Sequence, residues 1–182
     1  MVTYLISDFH FGDKWIQSCR RDFDTVEQMN THLKSRCLAV VDESDELVFL
    51  GDIIGKNGDE NEAWTWWGEL PIDIWVAGNH DPFERSEFSD LPLPLHAEYS
   101  FAANGFEFHC CHKPSQLPDD YEGWGIYGHK HNENPEEYPF LDQESSRINL
   151  SASMINYEPV SIDEIISYIE TEESYTTRLD TG

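Results

Sequence analysis

Apolar residues occur in short runs separated by polar segments, and their spacing predicts alternating strands and helices in the first half of the chain. Three β-branched or aromatic runs predict strands at residues 3–7, 46–50 and 72–77. Apolar side chains spaced three or four apart predict intervening helices at residues 24–41 and 61–70. Strands that alternate with helices are typical of an α/β fold.

The second half of the chain has a different pattern, with short strands and little helix. Residues 99–102 and 106–111 predict two strands that flank Asn104-Gly105, a strong signal for a two-residue hairpin turn. Residues 125–127 and 148–152 predict two further short strands. An antiparallel section is therefore expected after the alternating one.

Capping signals predict where two helices begin. Asp24, with Glu27 three residues on, is the predicted N-cap of the first long helix. Ser161 with Glu164 predicts the start of an amphipathic helix near the end of the chain. The tail from residue 171 to residue 182 is expected to be flexible.

Length and composition predict one domain over residues 1–182. No Ser-, Gly- or Pro-rich linker divides the sequence. The absence of a basic leader and of a long apolar stretch predicts a cytoplasmic protein with no membrane partner. The four cysteines lack the paired spacing of metal sites, and we expect reduced thiols.

Charge is the most unusual feature of the composition. The chain has 36 Asp and Glu against 11 Lys and Arg, a formal net charge of -25, but its 13% aromatic content is not that of a disordered chain. A folded domain with so much like charge repels itself in dilute buffer, whereas molar salt screens the repulsion. We therefore expect a salt-loving source. The alternatives are an ordinary acidic cytosolic protein and, more remotely, a nucleic-acid mimic.

Five short segments carry the candidate chemistry, and each follows an apolar run. They are DFHFG (8–12), GD (51–52), GNHD (78–81), CCH (110–112) and GHKH (128–131). Each is therefore expected where a strand ends and a loop begins, which is where scaffolds present functional side chains. Gly51, Gly78 and Gly128 directly precede ligand residues, and we expect sharp or left-handed turns there. The set predicts a two-metal hydrolytic site.

The spacing within two segments predicts shared metal ligation. Asp8 and His10 lie two residues apart, so in extended backbone both side chains project to one face. His129 and His131 repeat that spacing. Each pair is therefore able to reach one cation.

Three further residues complete the predicted ligand set. The carboxylate of Asp52 has two oxygens and is able to bridge two ions. Asn79 adds a carbonyl oxygen and His112 an imidazole. Mixed nitrogen and oxygen ligation without thiolate suits Mn, Fe, Zn, Ni or Co rather than Ca or Mg. Two divalent transition-metal ions are therefore expected, with manganese first, although composition does not choose among them.

The ordered set of DFHFG, GD, GNHD, a later histidine and GHKH resembles the calcineurin-like metallophosphoesterase superfamily. More narrowly, ISDFHFG followed by LVFLGD resembles the small single-domain phosphoesterases of bacteria, archaea and their viruses, so an archaeal or viral source is one expectation. The resemblance implies a four-layer α/β/β/α sandwich with the site at the carboxyl ends of the strands. It implies one cation held by Asp8, His10, Asp52 and His131, and a second held by Asp52, Asn79, His112 and His129.

The resemblance also implies a mechanism, in which a hydroxide bridging the metals attacks phosphorus and His80 protonates the leaving oxygen. The acidic residue that larger Ser/Thr phosphatases of the superfamily carry three positions after the bridging Asp is here Gly55. A small phosphorylated substrate is therefore expected rather than a protein. The candidate substrate contacts are Arg21, Lys14, Asn57, Lys113 and Lys130.

Two alternatives stay open. A nuclease of the same superfamily is the first, but a chain of charge -25 repels a polyphosphate backbone unless salt screens it, so a nucleic-acid partner is not expected. A non-catalytic metal-bound scaffold is the second. Its expected sign is loss of a ligand or of His80, and neither is lost.

The charge predicts that salt stabilises the folded state. The thermal midpoint should rise between about 0.1 M and molar KCl, because the Debye length falls from about 10 Å to about 3 Å. Thermal melts followed by circular dichroism, in one buffer at constant pH, measure this midpoint. A midpoint that stays level or falls over this range would contradict the salt-loving interpretation.

Overall fold

A five-stranded sheet forms the first half of the molecule in the computed structural model, which describes residues 1–20, 22–83 and 95–178. Its strands are β1 (Thr3–Ile6), β2 (Glu46–Phe49), β3 (Ile72–Val76), β4 (Leu95–His96) and β10 (Val160–Ser161). The order is β10-β1-β2-β3-β4. Strands β1 to β4 are parallel, and β10 is antiparallel to β1. The carboxyl ends of β1, β2 and β3 therefore lie along one edge.

The second half supplies another five-stranded sheet. Its strands are β5 (Tyr99–Ala103), β6 (Phe106–Cys110), β7 (Trp124–Tyr127), β8 (Leu141–Asp142) and β9 (Arg147–Asn149). The order is β5-β6-β7-β9-β8, with parallel pairing of β6 with β7 and of β7 with β9. The hairpin of β5 and β6 is confirmed: its turn residues Asn104 and Gly105 have φ values of 48° and 89°.

Four α-helices accompany the sheets within the described residues. They are α1 (Lys14–Cys19), α2 (Val26–Val40), α3 (Glu60–Gly68) and α4 (Ile162–Ile169). Helix α1 was not predicted because it has six residues and only Ile16 is buried, which leaves no apolar period to recognise. The predicted N-cap Asp24 is wrong by one residue, because the hydroxyl of Thr25 accepts the Gln28 N–H. Ser161 caps α4 as predicted.

The two sheets share one hydrophobic core. Buried side chains of β1, β2 and β3 belong to the same cluster as Phe108 of β6 and Ile126 of β7. Ser7, directly after β1, pairs with Ser151 and receives a backbone hydrogen bond from Ala152, which joins the first sheet to the chain leaving β9. Two mixed sheets with flanking helices confirm the predicted α/β sandwich class.

The tryptophans of α3 pack against this core. The ring of Trp66 stacks on Phe11 at a centroid distance of 3.9 Å, and Trp64 contacts the buried Trp75 at 5.7 Å. Because these rings are partly covered by their neighbours, packing explains the Trp-rich segment, and no base-stacking role is needed.

The segment after α4 is bound to the body of the protein as far as Arg178. Tyr175 exchanges two backbone hydrogen bonds with Leu141, and the Thr176 carbonyl accepts from Phe140. Backbone groups of Tyr175 and Thr176 therefore find partners beside β8, and the flexibility of the tail stays a prediction. Its last positions, 179–182, lie outside the described residues.

Candidate metal centre

The predicted ligands converge at the carboxyl ends of five strands. Asp8, Asp52 and Asn79 follow β1, β2 and β3, which are adjacent and parallel. In the other sheet His112 follows β6, and His129 with His131 follows β7. Joining of the sheets through Ser7 and Ser151 brings these two sets of loops together.

Five predicted ligands adopt a left-handed backbone. The φ values are 60° for Asp8, 52° for His10, 58° for Asp52, 69° for His129 and 31° for His131. Each such non-glycine conformation costs on the order of 1–3 kcal/mol unless the surroundings impose it, and these conformations concentrate at functional sites. The extended geometry expected for the Asp8/His10 and His129/His131 pairs is therefore wrong. Asp8 and His10 still lie in one group of donors together with His131, whereas His129 lies in another group with Asp52 and His112.

Asp8 is fully buried and presents one carboxylate oxygen to the centre. Its Oδ2 accepts the Ser7 hydroxyl at 2.5 Å and the His129 N–H at 2.8 Å. Its Oδ1 has no hydrogen-bond partner among the described residues and lies 3.6 Å from His10 Nε2 and 3.9 Å from His131 Nε2. One oxygen is therefore fixed by the protein, and the other is free to bind a cation.

Asp52 occupies the middle of the cluster and is 1% exposed. Its Oδ1 accepts the His80 N–H at 2.8 Å. Its Oδ2 lies 3.6 Å from His10 Nε2 and 3.3 Å from His112 Nε2, one imidazole from each predicted cation site. One oxygen of Asp52 thus faces an imidazole of each predicted cation site, whereas the sequence predicted that both carboxylate oxygens take part in bridging two ions.

The buried imidazoles of His10 and His112 present unpaired nitrogens. His112 Nδ1 lies 2.8 Å from the Leu50 carbonyl, a contact that requires a proton on Nδ1, so Nε2 is the nitrogen that offers a lone pair once the ring is neutral. In the described part of the chain, His112 Nε2 and both ring nitrogens of His10 have no hydrogen-bond partner. Buried polar atoms are seldom left unpaired, and these converge on the two Asp carboxylates.

The donors form two groups, and Oδ2 of Asp52 in one group lies 3.6 Å from Nε2 of His10 in the other. The ligand atoms of Asp8, His10 and His131 lie within 4.8 Å of one another. Those of Asp52, His112 and His129 form a second group by the same distance. The His10 and His131 rings are 5.0 Å apart, and the His112 and His129 rings 5.2 Å. Carboxylate oxygens and imidazole nitrogens are ligands that Mn, Fe, Zn, Ni and Co accept. The donor set therefore fits two divalent transition-metal ions.

The protonation of the exposed histidines also suits ligation. Burial, followed by His112, lowers the pKa of His129 to about 4, and burial lowers the pKa of His131 to about 4 as well. Burial acts in the same direction on His112, but the Asp52 and Asp8 carboxylates outweigh it and raise its pKa to about 9. His129 and His131 are therefore neutral near pH 7, whereas a cation at His112 has to displace a proton.

His80 lies at the exposed side of the cluster. Its ring is 5.3 Å from the His10 ring, and Nε2 is 3.9 Å from Asp52 Oδ2. Burial lowers its pKa, although Asp52 and Asp13 act in the opposite direction. A third group of donors joins His80 with His10 and Asp52, so its position is compatible with ligation as well as with proton transfer.

The remaining predicted site residues lie in several different places. Asn79 is exposed in the turn after β3. Lys14 and Asn57 line one cavity of about 450 Å³ beside the His10 segment. Arg21 lies outside the described residues. Space beside Gly55 is filled by Asp13, because a β-carbon at Gly55 would lie 2.7 Å from Asp13 Oδ2.

Asp81 connects the loops that carry Asp52 and Asn79. Its buried carboxylate accepts the backbone N–H groups of Asp52 at 3.0 Å, Ile53 at 2.9 Å and Gly78 at 2.7 Å, and the indole N–H of Trp75 at 3.1 Å. Burial and then Asp52 raise its pKa to about 6. The sequence interpretation of Asp81 as a structural acceptor agrees with these contacts.

Arg20 supports the first ligand loop, a role that the sequence does not predict. Its guanidinium is buried, and it donates to the carbonyls of Asp8 at 2.5 Å and Phe9 at 3.0 Å. These bonds hold the backbone on which Asp8 and His10 adopt positive φ. No sequence signal separates Arg20 from a surface arginine, because its partners are main-chain atoms.

The glycines before the ligands serve two different purposes. Gly51 has a φ of 93°, which fits the predicted left-handed turn. Gly78 lacks that conformation, and a side chain there would instead collide with the backbone N and the carboxylate of Asp52. Close approach of two loops therefore explains Gly78.

Comparison with known proteins agrees with this geometry. The sequence matches the family described as calcineurin-like phosphoesterase over residues 1–165. It is 38% identical over 170 residues to the uncharacterized protein MJ1445 of Methanocaldococcus jannaschii, covering 92% of this chain and 90% of that protein.

Among solved structures, the protein of unknown function AQ665 from Aquifex aeolicus is similar in fold. The TM-score is 0.67 at 24% identity, with 92% of this chain and 99% of that chain covered. Among the described residues, no helix has the length and apolar character needed to cross a bilayer.

The close approach at Gly78 predicts that alanine destabilises the protein at Gly78 but not at Gly68. Gly78→Ala should lower the free energy of unfolding by about 2–3 kcal/mol, because its β-carbon collides with backbone that is unable to rotate away. Gly68→Ala is the matched control: Gly68 ends α3 with open space around its β-carbon position, and alanine there should be neutral or stabilising by up to about 1 kcal/mol. Urea unfolding measures both, and equal stability of the two variants would contradict the packing.

Proposed function

Because this chain belongs to the calcineurin-like phosphoesterase family, we propose that it hydrolyses small phosphoesters with two divalent transition-metal ions held around Asp52. Manganese is the first candidate. The substrate class is a small phosphorylated molecule such as a nucleotide, a sugar phosphate or a cyclic phosphodiester.

One observation carries the proposal. Asp8 Oδ1, His10 Nε2 and His112 Nε2 are buried, have no hydrogen-bond partner in the described residues, and point to the two sides of Asp52 Oδ2. Leaving such atoms unpaired costs on the order of 1–3 kcal/mol each. Coordination of cations satisfies all of them at once, which ordinary packing does not.

The bound cations supply Lewis acidity for a phosphoryl group and lower the pKa of water. The chain positions the reaction with its own groups. The Ser7 hydroxyl and the His129 N–H fix one oxygen of Asp8, and the His80 N–H fixes one oxygen of Asp52. The free oxygens of both carboxylates are thereby held in one orientation, so little reorganisation is needed during turnover.

His80 is the proposed proton donor to the leaving oxygen. It lies beside the cluster with its side chain 27% exposed, so it is able to contact a substrate, whereas His10 and His112 are covered. Burial lowers the pKa of His80, and the carboxylates of Asp52 and Asp13 offset that shift only in part. An alkoxide leaving group needs this proton more than a nitrophenolate does.

A small substrate is favoured over a polynucleotide by charge. The net charge of -25 repels a polyanionic backbone over its whole length, whereas a single phosphate is attracted locally by the cations. The choice between monoester and diester is left to experiment.

Hydrolysis that depends on metal tests the proposal. With Mn²⁺ in molar KCl the protein should cleave nitrophenyl phosphate or its bis-nitrophenyl diester, lose the activity in EDTA and regain it with Mn²⁺. Asp52→Asn should lower kcat/KM by about a hundredfold or more, because ligand and ligand-supporting changes have effects of that size. Asp42→Asn, at an exposed position, is the matched control and should be without effect.

Two outcomes would contradict the proposal. Stoichiometric metal binding without turnover of esters, nucleotides or sugar phosphates would favour a scaffold. Preferential cleavage of an oligonucleotide would favour a nuclease.

The role of His80 predicts a dependence on the leaving group. His80→Asn should lower kcat/KM for glycerol phosphate by about 10²–10³ and that for nitrophenyl phosphate by less than about tenfold. Metal content measured by elemental analysis should stay at two ions per chain. His109→Asn is the control, because its ring bonds Ser100 away from the cluster. Equal losses on both esters, or loss of one metal ion, would identify His80 as a ligand instead.

A further inference from the structure

A cavity of about 360 Å³ adjoins the candidate metal centre and collects positive charge. Its lining includes His129, a predicted ligand, together with Lys113, Lys130 and Arg147. These are three of only 11 Lys and Arg in a chain of net charge -25. Such a concentration of basic side chains is unexpected on the surface of so acidic a chain. The volume of the cavity lies within the range of ligand pockets.

The three basic groups are not neutralised by acidic partners. Among the described residues no carboxylate oxygen lies within 4.0 Å of the side-chain nitrogens of Lys113, Lys130 or Arg147. Lys34, Arg36 and Arg178, by contrast, all form ion pairs. Asp119 also lines the cavity, so the lining has an excess of positive charge but is not wholly basic.

Neighbouring contacts limit the freedom of two of these side chains. The Lys130 ammonium lies over the Tyr138 ring, 4.2 Å from its centroid. The Arg147 guanidinium donates through Nη1 to the Pro114 carbonyl at 3.1 Å, which leaves its other N–H groups available. The cavity is therefore partly preorganised for an anion.

Two of the basic residues belong to the loops that carry the ligands. Lys113 follows His112 directly, and Lys130 lies between His129 and His131. His129 lines the same cavity as Lys113 and Lys130. An anion bound in this cavity is therefore close to whatever binds at His129.

We propose that this cavity binds a second phosphate group of the substrate, so that the substrate class is a small bisphosphorylated molecule. The inference rests on the proposed phosphoesterase function and narrows it. The phosphate to be cleaved lies at the metal ions, and the other is held by Lys113, Lys130 and Arg147. Charge-assisted hydrogen bonds from ammonium and guanidinium groups to phosphate supply the selectivity.

Paired substrates test the proposal in solution. With Mn²⁺ present, kcat/KM should be higher for fructose 1,6-bisphosphate or adenosine 3′,5′-bisphosphate than for the matching monophosphate, by about tenfold to a hundredfold. Lys113→Met and Lys130→Met should each remove most of that preference and affect nitrophenyl phosphate less. Lys113→Arg should restore it. Lys34→Met changes charge equally at a remote surface ion pair and should keep the preference.

A binding measurement separates the cavity from the metal centre. Inorganic phosphate should bind to EDTA-treated protein, as measured by calorimetry at low salt, and Lys113→Met should weaken that binding about tenfold or more. If no ester is hydrolysed, the proposed function fails, but the phosphate-binding measurement still tests whether the cavity binds an anion.

Two results would overturn the cavity proposal while leaving the proposed function intact. They are equal kcat/KM for every bisphosphate and its monophosphate, and phosphate binding that Lys113→Met leaves unchanged.

Discussion

Two carboxylates buried without a direct basic partner are the constraint on which the rest of this structure depends. Asp8 and Asp52 are 0% and 1% exposed, and within the described ranges no Lys or Arg nitrogen lies within 4.0 Å of either. Buried charge is unfavourable unless it is paired or coordinates a metal. Their neighbours are imidazoles, so cations shared by the carboxylates and the histidines resolve the conflict. In a chain of net charge -25 this requirement is especially strict.

Holding those carboxylates requires backbone that the chain would not adopt alone. Five predicted ligands have positive φ, and the strain is offset by contacts from outside their own segments. Asp81 gathers the N–H groups of Asp52, Ile53 and Gly78, and Arg20 binds the carbonyls of Asp8 and Phe9. Support for these side chains therefore involves the main chain of the loops after β1, β2 and β3.

Elements with a clear local signal were predictable, and those without one were not. The long helix α2, the parallel strands β1 to β3 and the Asn104-Gly105 hairpin follow from apolar period and turn chemistry. The two-residue strands β4 and β8 and the six-residue helix α1 are too short to show an apolar period. Tyr175 and Thr176 lie in a segment without a clear apolar period, yet they form backbone hydrogen bonds beside β8 that composition does not reveal.

The sequence by itself determined the class of chemistry, because ligand identity is written in residue type: Asp, Asn and His after apolar runs, in a fixed order that matches one family over residues 1–165. Only the tertiary structure decided how these donors meet. It put Asp52 Oδ2 between two groups of histidines, buried Arg20 under the first ligand loop, and brought Lys113, Lys130 and Arg147 around one cavity. The physical reason is that charge, burial and backbone partners are properties of neighbours in space, and Asp8 and His129, which share a hydrogen bond, are 121 residues apart in the chain.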